Sequence, residues 1–152
     1  MTIETTAVIF DARESAAYVQ EELPPPGPGQ VTVGAILTQI STGTEMICYV
    51  GEADEGTHWA SFMHYPRKNG YCMLGRITAL GEGVEDLSIG TRVCATSQHV
   101  SHCNVTPAQL WAPAVPDEIA DDDAVWAILG VITQTGVRMA EHVMGDRAVV
   151  IG

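Results

Sequence analysis

The stretch Gly70-Tyr71-Cys72-Met73-Leu74-Gly75-Arg76-Ile77-Thr78-Ala79-Leu80-Gly81-Glu82-Gly83-Val84 decides the fold class. Tyr71–Leu80 reads as a strand, and Gly81-Glu82-Gly83 as the turn that ends it. A second turn follows at Gly90, and Arg92–Thr96 is a strand again. Val100–Val105 and Gln109–Ala112 are further short strands. On the other side, Val31–Ile40 is a long β-rich segment: Val31, Val33, Ala35 and Leu37 alternate with Thr32, Gly34 and Thr38, although Ile36 breaks the polar side. Ala7–Phe10 is a short apolar run of strand type. Glu21–Gln30 carries Pro24, Pro25, Pro26, Gly27, Pro28 and Gly29, which predicts a loop because proline fixes φ and removes a donor. Ser41-Thr42-Gly43-Thr44-Glu45 closes the β-rich segment, and Glu52–Asn69 is irregular. Five or six strands spaced by glycine and proline turns over residues 1–115 predict a barrel or sandwich.

The character changes after Pro116. Asp121, Asp122 and Asp123 supply an N-cap and a negative first turn, which a helix dipole favours. An apolar helical stretch begins at Ala124. Gly130 and Gly136 weaken it, so two helices with a break are expected, the second running to about Val143. Ala148-Val149-Val150-Ile151 has the pattern of a buried strand, and uncovered it is expected either to be disordered or to pair with a second copy as a homodimer edge.

The 152 residues include 19 acidic and 7 basic side chains, a formal net charge of −12. That excludes the electrostatic footprint of a nucleic-acid or anionic-membrane binder. The uncharged stretch Ala124–Val137 is well short of the roughly 20 residues that span a bilayer. Met1–Thr5 has no basic region of a secretion signal, and the four cysteines (Cys48, Cys72, Cys94, Cys103) form no Cys-x-x-Cys pair. A cytoplasmic protein with reduced thiols is expected.

Three stretches together resemble the medium-chain dehydrogenase/reductase superfamily, the alcohol-dehydrogenase-like proteins. They are Ser41-Thr42-Gly43-Thr44-Glu45; then Gly70-Tyr71, Gly75-Arg76-Ile77, Gly81-Glu82-Gly83-Val84 and Gly90-Thr91-Arg92-Val93; then Val115-Pro116-Asp117, Ala124, Thr135-Gly136 and Gly145–Gly152. The Gly-Thr-Glu and Gly-Tyr variants look most like the bacteriochlorophyllide-dehydrogenase-like branch, and Thr91 departs from the family's usual Asp. The resemblance implies a mainly β chain: a GroES-like β-barrel over residues 1–120 as the substrate and catalytic domain. Residues 121–152 would then hold linker helices and the first strand of a truncated Rossmann domain. It further implies the substrate side of an NAD(P)(H)-dependent oxidoreductase acting on a carbonyl, an alcohol or an activated double bond. NAD(P)(H) is expected for a full-length relative, and none tightly bound to this chain, because the glycine turn that seats a pyrophosphate would lie beyond Gly152. The alternative is a stand-alone GroES-like domain that binds a small molecule or catalyses a cofactor-free step.

Zinc-type members of the family hold a catalytic metal with Cys, His and Cys-type ligands. By the motifs those positions are Thr42, Tyr71 and Val131 here, and Thr, Tyr and Val do not supply the thiolate or imidazole donors zinc takes. No metal is expected. A second grouping, Cys94, His99, His102 and Cys103, reads as a surface histidine pair beside buried thiols. Without zinc the candidate catalytic residues are Thr42, Thr44, Glu45 and Tyr71, since a tyrosine hydroxyl can polarise a carbonyl or donate a proton. Thr44 and Glu45 equally suit a helix start, and Tyr71 a core tyrosine. Trp59, Phe62, Met63, His64 and Tyr65 are expected by family analogy to line a cleft for a small apolar or cyclic substrate, or else to fold onto the barrel. Thr135 and Gly136 would touch the nicotinamide once a Rossmann domain is supplied. Arg67 and Lys68 read as a solvated basic pair or a carboxylate attractor.

Overall fold

In the computed structural model, which describes residues 1–149, the β-rich segment after the proline loop pairs with the strand that precedes Gly81. The strands are β1 (Ile3–Ala12), β2 (Ser15–Leu23), β3 (Val31–Gln39), β4 (Arg67–Lys68), β5 (Cys72–Leu80), β6 (Arg92–Ala95), β7 (His102–Val105) and β8 (Leu110–Ala112). Helices are α1 (Thr42–Val50), α2 (Asp121–Ala124) and α3 (Ala127–Met139), with 3-10 turns at His58–Phe62 and Pro107–Gln109. β2, β1 and β4 form one antiparallel sheet, and β7, β3, β5, β6 and β8 the other. A bridge between Ala7 and Val100 joins them, flanked by Val8 N–H donating to His99 O at 2.9 Å and Ser101 N–H to Thr6 O at 2.8 Å.

Strand alternation sorts the core into two layers. Met73 and Ile77 point into the barrel with Ala7, Val31, Val33, Val93, Val100 and Val105. Leu74, one residue from Met73, points the other way and packs with Cys94 against Ala124 and Val125. Each buried Val, Leu, Ile or Met among them contributes about 1.5–3 kcal/mol relative to exposure. The proline loop is tied to this frame at Gly81, whose N–H donates to Gln30 O at 2.8 Å. A Cβ at Gly81 would stand 1.9 Å from Gly27 O, so the close approach requires glycine. Arg92, buried, donates to the carbonyls of Pro116 and Ile119, both at 2.9 Å, and so fastens the segment that leads to α2.

The structure departs from the sequence reading in several places; among them, β4 lies in the stretch read as irregular, and Ala120 rather than an aspartate is the N-cap of α2. β2 was not expected, and the loop begins at Pro24 rather than Glu21. The Ser15–Leu23 segment carries few large apolar residues, but the ten-residue β1 supplies a pairing partner along its length, and charged edge residues such as Glu21 and Glu22 suit an outer strand. Beyond Ser41 the chain forms a full helix, α1. The break between the C-terminal helices falls at Val125 and Trp126, not at the glycines: α3 runs through Gly130 and Gly136 and ends at Met139. Each glycine costs a helix about 1 kcal/mol, which a thirteen-residue helix anchored by buried Ile128 absorbs. The strand expected from Ala148 lies mostly outside the described residues, and Ala148 and Val149 are not in a strand. Among the described residues no helix is long and apolar enough to cross a membrane.

Candidate functional site

β3 and β5 run antiparallel, pairing Gln39 with Cys72 at one end and Val31 with Leu80 at the other. The Gln39–Cys72 end carries the Ser41–Glu45 and Gly70–Tyr71 motifs, so the sheet register alone brings the two together. Ser41 is the N-cap residue of α1, with extended backbone (φ −91°, ψ 94°), but its hydroxyl does not cap the helix. Instead Tyr71 Oη donates to Ser41 Oγ at 2.6 Å. Ser41 then keeps its own O–H to offer to an oxygen beside the pair. Thr42, exposed, is the first residue of α1, and Thr44, half-buried, follows on its opening turn.

Glu45 is the buried charge beneath this pair, 3% exposed. Its carboxylate accepts from the Ser41 backbone N–H at 2.8 Å, Asn69 Nδ2 at 3.0 Å and His99 Nε2 at 2.7 Å. Burial pushes the carboxyl up, but the hydrogen bonds from His99 and Ser41, the His99 charge and the Asn69 amide outweigh it and hold the group below the usual carboxylate range. Glu45 is thus a carboxylate fully engaged inside the fold. An apolar cavity of about 270 Å³ abuts it, walled by Val8, Phe10, Ala16, Ile40, Met46 and Tyr49, with Glu45 and His99 at its polar end. A larger cavity of about 480 Å³, lined by Pro24–Pro26 and Leu80, lies at the opposite end of β5. A nine-residue strand puts it about 25 Å from Tyr71.

Cys72, next to Tyr71, is a buried thiol pushed up to about 11 by burial, then by the Glu45 charge and Cys94. Burial also raises Cys94 and Cys103. None of these three is a thiolate at neutral pH. His99 is buried rather than part of a surface histidine pair, while His102 lies in β7 with its ring against Gly34. Among the described residues no three His, Cys, Asp or Glu side chains come together to hold a metal. Val131 is exposed on α3, and Thr135 and Gly136 are exposed on the same helix, where Thr135 Oγ1 donates back to Val131 O at 3.0 Å.

The aromatic stretch divides. Trp59 and Phe62 meet in the 3-10 turn with ring centroids 6.0 Å apart and planes tilted by 49°, and the Arg67 guanidinium lies 5.3 Å from the Phe62 centroid. His64 is exposed. Tyr65 Oη donates to Cys48 O at 2.7 Å and so fastens the C-terminal end of α1. Arg67 and Lys68 form β4, and Lys68 pairs with Glu21 of β2, so both basic residues serve the sheet. Sequence reasoning passed over Ser41, Asn69 and Thr38. The spacing Ser41-x-x-x-Glu45 ahead of an apolar run was the available signal for Ser41; nothing local marks the other two.

No family model matches the chain. The starvation-sensing protein RspB of Escherichia coli K12 is 32% identical over 114 residues, covering 75% of this chain and 31% of that protein. The structure of the quinone oxidoreductase from Coxiella burnetii superposes with a TM-score of 0.78 at 16% identity, over 95% of this chain and 47% of that one. The fold is that of the GroES-like domain of such enzymes. The rspB alcohol dehydrogenase from Escherichia coli CFT073, solved in complex with NADH, shares that fold at a TM-score of 0.65 and 22% identity, over 81% of this chain and 42% of that one. The GroES-like domain here therefore spans less than half the length of each of these proteins. Among its described residues there is no glycine-rich strand–turn–helix to seat a dinucleotide pyrophosphate.

Proposed function

We propose that this chain is the substrate-side domain of a zinc-independent NAD(P)(H)-dependent oxidoreductase of the bacteriochlorophyllide-dehydrogenase-like branch. Residues 1–120 form the substrate domain, and residues 121–152 lead into a nucleotide-binding domain. The observation that carries the reading is the Tyr71–Ser41 hydroxyl pair; by the resemblance, Tyr71 stands where zinc-type members of the family place a metal ligand. The solved relative in complex with NADH supports the cofactor class. A nicotinamide, when bound, supplies or takes up the hydride. The residues of this chain do the rest.

Tyr71 and Ser41 form one donor unit. Whichever hydroxyl donates within the pair, one O–H remains for a substrate oxygen, where it stabilises negative charge as a carbonyl is reduced. A metal supplies that stabilisation as a Lewis acid; here neutral O–H donors take its place. Thr42 and Thr44 add hydroxyls on the same helix turn. Glu45 does not reach the substrate: its charge is spent on Ser41 N–H, Asn69 and His99, and it holds the donor pair in place. A small apolar or cyclic substrate follows from the family resemblance; the apolar cavity beside Glu45 has neither Tyr71 nor Ser41 in its lining.

The test is hydride transfer by the complete native polypeptide with NADPH and a panel of quinones, enones and ketones, followed at the nicotinamide absorbance. Tyr71→Phe is expected to lower kcat by about 100-fold, the size of effect seen when one oxyanion donor is lost. Unchanged turnover in Tyr71→Phe, or one stoichiometric zinc per chain in the active protein, would overturn the reading.

A further inference from the structure

We infer that His99 is the positioning residue for Tyr71. It grips the segment that carries Tyr71 from below and orders, through Glu45 and Ser41, the hydroxyl pair that the segment presents. The inference deepens the proposed donor role of Tyr71 and, for its functional meaning, rests on that reading.

Four contacts converge on this one residue. The backbone N–H of His99 donates to Asn69 O at 2.8 Å. The ring lies directly under Gly70: a Cβ there would stand 2.8 Å from His99 Cδ2 and Nε2. Gly70 has φ +101°, a backbone conformation that side-chain-bearing residues rarely adopt. The ring therefore occupies the space a side chain would fill, and it sets the height of the backbone immediately before Tyr71. Nε2 meets Glu45 Oε2 at 2.7 Å, and Nδ1 meets Thr38 Oγ1 at 2.9 Å.

These contacts fix one proton: a carboxylate only accepts, so Nε2 donates toward Glu45. Nδ1 shares its hydrogen bond with the Thr38 hydroxyl. Glu45 relays the constraint: Oε1 takes Ser41 N–H, and Oε2 takes Asn69 Nδ2. Ser41 Oγ and the Tyr71 backbone are thus both referred to the same imidazole, one through Glu45 and one through Asn69 and Gly70. The four partners come from the end of β3, the start of α1 and the turn before β5, segments far apart in the chain. Both ring nitrogens and both carboxylate oxygens are used, which is the arrangement expected of a rigid support.

The readout is Tyr71 itself. Tyrosine-ring carbon NMR of the 152-residue chain, with the Tyr71 signal assigned by its loss in Tyr71→Phe, reports the hydroxyl's hydrogen bond independently of any substrate. In His99→Ala the Cζ shift of Tyr71 is expected to move to that of a water-exposed phenol, while the signals of Tyr18, Tyr49 and Tyr65 stay put. His99→Gln carries an amide donor to the Nε2 position and is expected to restore the Tyr71 shift. His99→Asn reaches only the Nδ1 position and is expected not to. If His99→Ala does not fold, the Gln and Asn variants decide between them. A native Tyr71 shift in His99→Ala, or equal shifts in the Gln and Asn variants, overturns the inference. A loss of Tyr71 order on mutating His99, together with unchanged turnover in Tyr71→Phe, would keep the positioning and refute the donor role instead.

Discussion

Arg92 Nη2 donates to Asp121 Oδ1 at 2.6 Å, joining a side chain 4% exposed to one 50% exposed. The barrel thereby holds the first turn of α2 with a guanidinium it keeps inside. The same Nη2 reaches Ile119 O, and Nη1 reaches Pro116 O, so one arginine serves three acceptors on the connecting segment. The acidic run at Asp121–Asp123, which the sequence offers as a helix start, is also the anchor point of that helix on the sheet.

Arg92→Met is therefore expected to destabilise the chain by about 1–3 kcal/mol, since it removes the donors to the Pro116 and Ile119 carbonyls and to Asp121. Asp121→Asn, which leaves the two carbonyl contacts, is expected to cost about 1 kcal/mol because its carboxylate is half in water. Urea unfolding followed by circular dichroism measures both; equal losses would show that the ion pair, not the carbonyl contacts, does the fastening.

The Cys72 thiol, held near 11 by burial, the Glu45 charge and Cys94, is expected to react slowly with iodoacetamide. At pH 8 about one molecule in a thousand carries the thiolate. Peptide mapping after timed alkylation reads the site directly. Glu45→Gln removes the nearby charge and is expected to lower the Cys72 thiol and speed its alkylation. Rapid modification of Cys72 in the folded wild-type chain would contradict this.

Glu45 makes the fold acid-sensitive. Its carboxyl is lowered by folding, so it contributes stability that is present above the ordinary carboxylate range and is lost as pH falls through the lowered folded value. The midpoint of thermal unfolding, measured from pH 7 to pH 3, should drop on the acid side. Glu45→Gln should be less stable at pH 7 and show a shallower acid limb. A parallel acid limb in the two proteins would assign the acid sensitivity to other carboxylates.

Gly81→Ala should destabilise by about 1–3 kcal/mol, the ordinary cost of forcing atoms into a filled space, because its Cβ meets Gly27 O at 1.9 Å. Gly83→Ala, two residues on, meets no neighbour within 4 Å but sits at φ +79°, so its smaller cost is one of backbone strain. Thermal melts of the two variants separate the two mechanisms.

The barrel was legible because its signals are local. Val31, Val33, Val93 and Val105 stand in short alternating runs, and Gly81, Gly83 and Gly90 mark the turns. β2 was not legible: Ser15–Leu23 has little intrinsic preference, and its strand exists because β1 pairs with it along its length. The glycines of α3 misled for the converse reason, since helix propensity is a weak prior that anchoring overrides. Of the site, Tyr71, Glu45 and Thr42 could be picked out from the order of motifs. His99, Asn69 and Thr38 could not, because their partners lie on other elements and nothing in their neighbours announces them.

By itself the sequence determined the strands with strong alternation, the turns that need glycine or proline, the acidic start of the C-terminal helices and the motif order of the superfamily. All of these follow from periods and backbone preferences that act over a few residues. Only the tertiary structure decided that Glu45 is buried among the Ser41 N–H, Asn69 and His99, that Tyr71 pairs with Ser41, and that His99 lies beneath Gly70. Those outcomes depend on which segments the β3–β5 register brings together. A buried charge is stable only where distant donors converge on it, and that convergence exists in space, not along the chain.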